Sequence, residues 1–278
     1  MEAGTNVNPD RGHEEKIETD QFIYGTRPVL ECLRAGRRRV GHVYLLGGRK
    51  DFRFSEIREV TTKAGIPVIL KSREELAHLS GSSDHQGVVA SVGPLPVYSL
   101  EELPNEASTD GVVSTSASVV LVLDSIVDPR NFGALCRSAL ALGCRGVVFT
   151  KDRSAGPSPA ALKASAGSME RIPLFRVTNL PRALEKLKER NYWVVGLAEE
   201  GEHLIDDVWC DGPIALVVGS EDKGLRRLVR KRCDQMMRLK TLDDFSTLNV
   251  SVAGAIALYE VNSKRDLMAP RDSTHNLS

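Results

Sequence analysis

Four polar side chains, Asn131, Arg137, Glu221 and Asn249, stand where short glycine-containing segments meet apolar runs. The pattern Asn131-x-Gly133-x-x-x-Arg137 follows the run Val119 to Leu123, with Pro129 marking a helix start. An asparagine at that point is ordinarily a cap and a helical arginine ordinarily solvated, so the segment alone carries both a structural and a chemical reading. Gly219-Ser220-Glu221-Asp222-Lys223-Gly224-Leu225 follows a second apolar run. Its carboxylates suit the positive end of a helix dipole. The other reading is a backbone cradle, in which Gly219 lets a ligand approach the main chain closely. The third segment, Asp243 to Gly254, runs into an apolar helix of small residues, with Thr247 as a candidate N-cap. Asn249 is the odd residue, a poor helix former placed in the first turn with no local need for it.

These residues require a frame. The runs Val119 to Leu123 and Ala215 to Val218 are continuously apolar rather than alternating, which implies burial on both faces of a parallel sheet covered by helices. Such α/β sheets bind ligands beyond the carboxyl ends of their strands, here the loops after Leu123, Thr150, Leu197, Val218 and Leu239. No Gly-x-Gly-x-x-Gly and no P-loop pattern follows any strand, so dinucleotide binding and nucleotide hydrolysis have no support. Residues 21–92 alternate short strands and helices and read as a small α/β module. Residues 93–118 have linker composition, and residues 119–263 form the larger domain. The polar tails, residues 1–20 and 264–278, are expected to be disordered.

The length of 278 residues fits two domains at roughly 150 residues each. Lysine plus arginine equals aspartate plus glutamate at 37 each, which argues against a uniformly basic surface. Distribution matters more than the total, because residues 21–98 hold 12 basic against 7 acidic side chains. That module is suited to meet phosphate. Cys32, Cys136, Cys144, Cys210 and Cys233 are scattered and never spaced Cys-x-x-Cys, which fits a reducing cytoplasmic setting and no zinc or disulfide framework. No apolar run approaches the roughly 20 residues that cross a bilayer, and the first 20 residues contain no signal-type apolar stretch.

Taken in order, the three segments resemble the motifs of the SpoU or TrmH family of RNA ribose 2′-O-methyltransferases. Asn131 to Arg137 looks like the first motif, Gly219 to Leu225 the second, and Thr247 to Ala253 the third. The likeness spans Val119 to about Ser263. Lys151 to Ala155, Gly167, Glu170, Pro173 and Arg176 to Leu180 are most similar to the branch that methylates guanosine of large-subunit ribosomal RNA. Tyr24-Gly25 and His85-Gln86-Gly87-Val88 resemble that branch's small RNA-binding domain.

The resemblance implies a deep trefoil knot in the larger domain, a homodimer formed through that domain, and S-adenosylmethionine (SAM) as cofactor without a metal. It implies cofactor contacts from Gly219, Leu239, Leu248 and Thr247. Thr247 departs from the serine usual in its motif, keeping the hydroxyl while stiffening χ1. Asn131, Glu221 and Asn249 would position the ribose and Arg137. A guanidinium is effectively always protonated, so Arg137 suits stabilisation of a developing 2′-oxyanion rather than proton abstraction. Arg34, Arg37 and Arg38 of the first domain, with Arg39, become candidates for RNA backbone contacts, and Lys151 and Arg153 for contacts near the target nucleotide. Alternative readings are a tRNA methyltransferase of the same family and a noncatalytic RNA-binding or ribosome-assembly relative.

Overall fold

The computed structural model describes residues 21–49, 52–104, 119–207, 212–242 and 248–268. The first domain runs β1 (Gln21–Tyr24), α1 (Thr26–Ala35), β2 (Val40–Leu46), α2 (Phe52–Lys63), β3 (Val68–Lys71), α3 (Arg73–Ser80) and β4 (Val88–Val92). Its four strands lie in the order β1-β4-β2-β3, with β4 antiparallel to β1 and β2, and β3 parallel to β2. Central strand β4 is Val-Val-Ala-Ser-Val and wholly buried, as a strand covered on both faces must be. Helix α3 starts in a capping box, Ser72 accepting from the Glu75 amide while Glu75 accepts from the Ser72 amide.

The second domain runs β5 (Val119–Leu123), α4 (Pro129–Ala141), β6 (Gly146–Thr150), α5 (Pro159–Ala164), β7 (Leu174–Val177), α6 (Leu180–Glu189), β8 (Trp193–Leu197), β9 (His203–Leu204), β10 (Ile214–Val218), α7 (Arg227–Arg230), β11 (Gln235–Arg238) and α8 (Val250–Met268). All seven strands are parallel, in the order β7-β6-β5-β10-β8-β11-β9. Strand β10 enters late in the chain between β5 and β8. The carboxyl ends of these three strands therefore share one edge, where the sheet order reverses direction.

The elements match expectation at the start of α4 and differ from it at α5 and β9. Helix α4 begins at Pro129, where that proline signals a start, and Asp128 caps it by accepting from the Arg130 amide at 2.8 Å. A single helix from Pro159 to Ser168 is expected, but α5 stops at Ala164 and a 3₁₀ turn follows at Ser168–Glu170. Ala166 and Gly167 between them have φ of +50° and +87°, a left-handed pair that no α-helix accommodates. Strand β9 has two residues and leaves no periodicity to read.

The stretch expected to be a linker is in part an ordered strap. Tyr98 pairs with β7, its amide donating to the Leu174 carbonyl and its own carbonyl accepting from the Arg176 amide, both at 2.9 Å. Arg190 then donates to the carbonyls of Leu100 at 3.3 Å and Leu103 at 3.0 Å.

Charge joins the two domains. Arg38 donates from Nε to Glu170 at 3.1 Å and from Nη2 to the other oxygen of the same carboxylate, and its Nη1 reaches the Gly93 carbonyl at 3.0 Å. Both partners are buried, with side-chain exposures of 2% and 1%. Arg37 donates to the carbonyls of Glu170 and Ile172, each at 3.2 Å, and stacks on Tyr98 with 5.7 Å from guanidinium to ring centroid. The Cβ that Gly167 lacks would lie 2.7 Å from the Cβ of Glu31, so glycine is what lets α1 settle on that turn. Among the described residues, no helix is long and apolar enough to cross a membrane.

Burial raises the Glu170 carboxyl above its ordinary value, and Arg38 works against that rise. Replacing Arg38 by Met should therefore destabilise the fold by about 3 to 5 kcal/mol at neutral pH, since it strands a buried carboxylate. Because the lone acid is easiest to bury protonated, part of that loss should return as the pH falls from 7 towards 5. Urea unfolding of Arg38→Met and wild type at both pH values checks both statements; equal midpoints at pH 7 would remove the pair's structural role.

Candidate active site

Asp128 takes the capping role at the start of α4, and Asn131 in the first turn is thereby released for another partner. Its Nδ2 donates to Glu221 at 3.2 Å across a separation of 90 residues. Asn249 donates from its own Nδ2 to Asn131 Oδ1 at 3.1 Å and to Glu221 Oε1 at 3.3 Å. Three loops thus meet through one carboxylate and two amides. Asn249 also has the structural purpose that its neighbours alone do not reveal. It precedes α8, and its Oδ1 accepts from the Ser251 amide at 3.0 Å and hydroxyl at 2.6 Å.

The glycines of the motifs set the approach of these loops. A Cβ on Gly133 would lie 2.4 Å from the Ala161 carbonyl oxygen, so this residue lets α4 and α5 pack with almost no gap. A Cβ on Gly219 would meet the Gly224 carbonyl carbon at 2.3 Å. That proximity is the loop closing on itself, with the Ser220 and Gly224 backbones exchanging hydrogen bonds at 3.1 and 2.9 Å and Gly224 at φ +58°. Asp124, fully buried at the end of β5, anchors the far side of the loop by accepting from the Arg226 amide at 2.8 Å and Nε at 2.6 Å.

Beside the Asn131, Glu221 and Asn249 group opens a cavity of about 540 Å³ at the ends of β8, β10 and β11. Leu197, Val218, Leu239, Val250 and Ala253 give it an apolar lining, Gly219 and Gly224 expose backbone to it, and its polar margin holds four carboxylates, Glu199, Glu200, Glu221 and Asp222, against the two cations Lys223 and Arg238. A flat apolar ring fits the first surface and a positively charged group the second. Of the expected cofactor contacts, Gly219, Leu239 and Leu248 line this cavity. Thr247 lies outside the described residues.

Arg137 is elsewhere. Six residues along α4 from Asn131, it sits about 9 Å further down the axis and about 120° around it. It lines a separate cleft of about 520 Å³ between α4 and helices α1 and α2 of the first domain, and has no hydrogen-bond partner among the described residues. One chain therefore places Arg137 in a different cavity from Glu221, the carboxylate to which Asn249 is bonded. Of the arginines expected to meet RNA, Arg34 lines this same cleft, paired with Glu31 at 3.3 Å and with Glu56. Arg38 is spent on Glu170 and is inaccessible to a phosphate, and Arg37 is turned onto carbonyls and Tyr98. Their separation of more than 130 residues from Glu170 and Ile172 explains why local sequence shows only a basic cluster. Lys151 and Arg153 are exposed in the loop after β6, which the Ala155 amide ties to the Ile126 carbonyl near the start of α4.

Burial pushes the Cys32 and Cys233 thiols up to about 12 and that of Cys136 upward as well, which leaves them packed as neutral thiols rather than as nucleophiles.

Known proteins resemble this chain in both of its domains. The SpoU rRNA Methylase family matches residues 118–259, and the substrate-binding domain of RNA 2′-O ribose methyltransferases matches residues 22–98. The 23S rRNA (guanosine-2′-O-)-methyltransferase RlmB of Coxiella burnetii is 40% identical over 251 residues, which cover 89% of this chain and 97% of that protein. Its namesake in Escherichia coli K12 is 38% identical over 245 residues, covering 88% and 99%. Among solved structures, the SpoU methyltransferase AviRb of Streptomyces viridochromogenes, crystallised with AdoMet, superposes with a TM-score of 0.74 at 24% identity, covering 89% of this chain and 91% of that one. This chain belongs to the SpoU rRNA methylase family.

Proposed function

We propose that this protein transfers a methyl group from SAM to the ribose 2′-hydroxyl of a guanosine in 23S-type ribosomal RNA, in the cytoplasm and as a homodimer. The observation that carries the reading is the hydrogen-bonded group Asn131, Glu221 and Asn249 at the lip of the glycine-looped cavity. The ribosomal target rests on relatives of 38% and 40% identity that bear that name and are matched over nearly their whole length.

SAM supplies an electrophilic methyl group on a sulfonium. Leu239 and Leu248 would pack against the adenine, Gly219 would bring the main chain close to the adenosine, and the acidic margin would favour the cation. The Glu221 carboxylate, by accepting from two amides, fixes their direction, so that neither has to be reoriented when a ribose is held near attack geometry. Arg137 meets the developing 2′-oxyanion as a charge-assisted donor, while the hydroxyl proton passes to a neighbouring RNA phosphate or to water.

The homodimer accounts for the separation of Arg137 from Asn249. Val252, Ile256 and Tyr259 form an apolar stripe on α8 at i, i+4 and i+7, with exposures of 46%, 40% and 59%, and Val127 ahead of α4 is 67% exposed. Pairing of two copies over this stripe would cover it and let the Arg137 of one copy serve the cavity of the other. The trefoil knot belongs to the same reading, supported by the late entry of β10 between β5 and β8.

Arg137→Ala should lower single-turnover methyl transfer by about 100-fold while leaving SAM affinity by calorimetry unchanged; wild-type rates in both Arg137→Ala and Arg137→Lys would refute the oxyanion role. Gly219→Ala should instead weaken SAM binding, because the loop must open to admit the methyl group. Coexpressing Arg137→Ala with Asn249→Ala chains tests the shared site. Mixed dimers should regain activity at one of their two cavities, whereas sites built within single chains would leave every cavity defective.

A further inference from the structure

The cleft that holds Arg137 has features the methyl-transfer reading does not use. Phe52, the first residue of α2, is 81% exposed and lines it. The core contacts of α2 come from Phe54, Ile57 and Thr61, so packing of the helix gives Phe52 no role. Around it stand Arg27, Arg34, Arg53, Arg137 and Arg171, five cations against the two carboxylates of Glu31 and Glu56. Those two acids hold Arg34 and, at 3.8 Å, Arg171, while Arg27 has no carboxylate partner among the described residues. In a chain with no net charge, this concentration is a local excess.

A second and independent observation comes from the opposite wall. Ser168, 6% exposed, has a buried hydroxyl without a hydrogen-bond partner among the described residues, and it lines the same cleft. A buried hydroxyl left unpaired costs free energy unless a ligand group completes it. The wall that carries it is the left-handed turn at Ala166 and Gly167 that ends α5.

We propose that this cleft binds unpaired RNA next to the target nucleotide, with a base stacked on Phe52, phosphates on Arg27 and Arg171, and Ser168 donating to a phosphate or ribose oxygen. Unpaired RNA is the chemistry that fits. An aromatic face serves a base that has left its stack, and interspersed guanidiniums follow the backbone without reading its sequence. A volume of about 520 Å³ holds one nucleotide-sized group rather than a duplex. The strand so held would reach Arg137 at the α4 wall, which makes these four residues positioning residues for the reaction. The inference rests on the proposed function for its destination but not for its binding chemistry.

The test uses the full chain and a fluorescent single-stranded ribonucleotide octamer, with a blunt RNA duplex as comparison. Phe52→Ala should weaken octamer binding by about tenfold or more and Phe52→Trp should preserve it. Arg27→Ala and Arg171→Ala should each reduce the slope of log affinity against log salt by about one, and Ser168→Ala should weaken binding with no change in that slope. With RNA substrate, Phe52→Ala should raise KM and leave kcat near wild type. Octamer affinity and salt slopes unchanged in Phe52→Ala and Arg27→Ala, or a duplex bound as well as the octamer, would overturn the proposal. SAM binding measured on the same samples separates the two readings. Wild-type protein that binds the octamer through Phe52 but ignores SAM would sink the proposed function alone, and active protein indifferent to Phe52 would sink the cleft alone.

Discussion

The carboxylate of Glu221 accepts hydrogen bonds from Asn131 and Asn249, and through them it holds the start of α4, the loop after β10 and the start of α8 at one point. Remove that meeting and each segment reverts to an ordinary helix end. The sheet order permits it. Strand β10 lies between β5 and β8, so residues separated by 90 and 118 positions emerge at adjacent carboxyl ends. Glycines then remove the side chains that would keep the loops apart, most clearly at Gly133 against α5 and at Gly219 against Gly224.

A second constraint governs where the first domain sits. Arg38 and Glu170 are taken from water together, and Arg38 supplies the main compensating charge for the carboxylate, with Arg37 adding to it. With Arg37 on the carbonyls of Glu170 and Ile172, they hold the Arg37 and Arg38 segment after α1 against the 3₁₀ turn at Ser168–Glu170 and so define the cleft between the domains. Basic residues of one small module therefore divide into two physical classes. Arg37 and Arg38 are structural, while Arg27, Arg34 and Arg53 face the cleft.

Much of this protein is determined locally and can be read without coordinates. Runs such as Val119 to Leu123 have no polar face, so they can only be buried strands of a covered sheet, and the three segments at their ends are the ones that build the site. Residue type alone also marks Arg137 as a permanent cation and singles out Asn249, although its place is the cap of α8 and not the first turn that the sequence suggests.

Tertiary structure decided what depends on distant partners. That Asp128 and not Asn131 caps α4, that Asn249 caps α8 while joining the polar group, that Arg38 is buried, and that Arg137 opens on a different cavity from Glu221 are outcomes of packing between segments far apart in the chain. Periodicity reports which face of an element is apolar. The fate of a charge is set instead by whether an opposite charge arrives beside it when the domains close, and for Arg38 that partner lies 132 residues away.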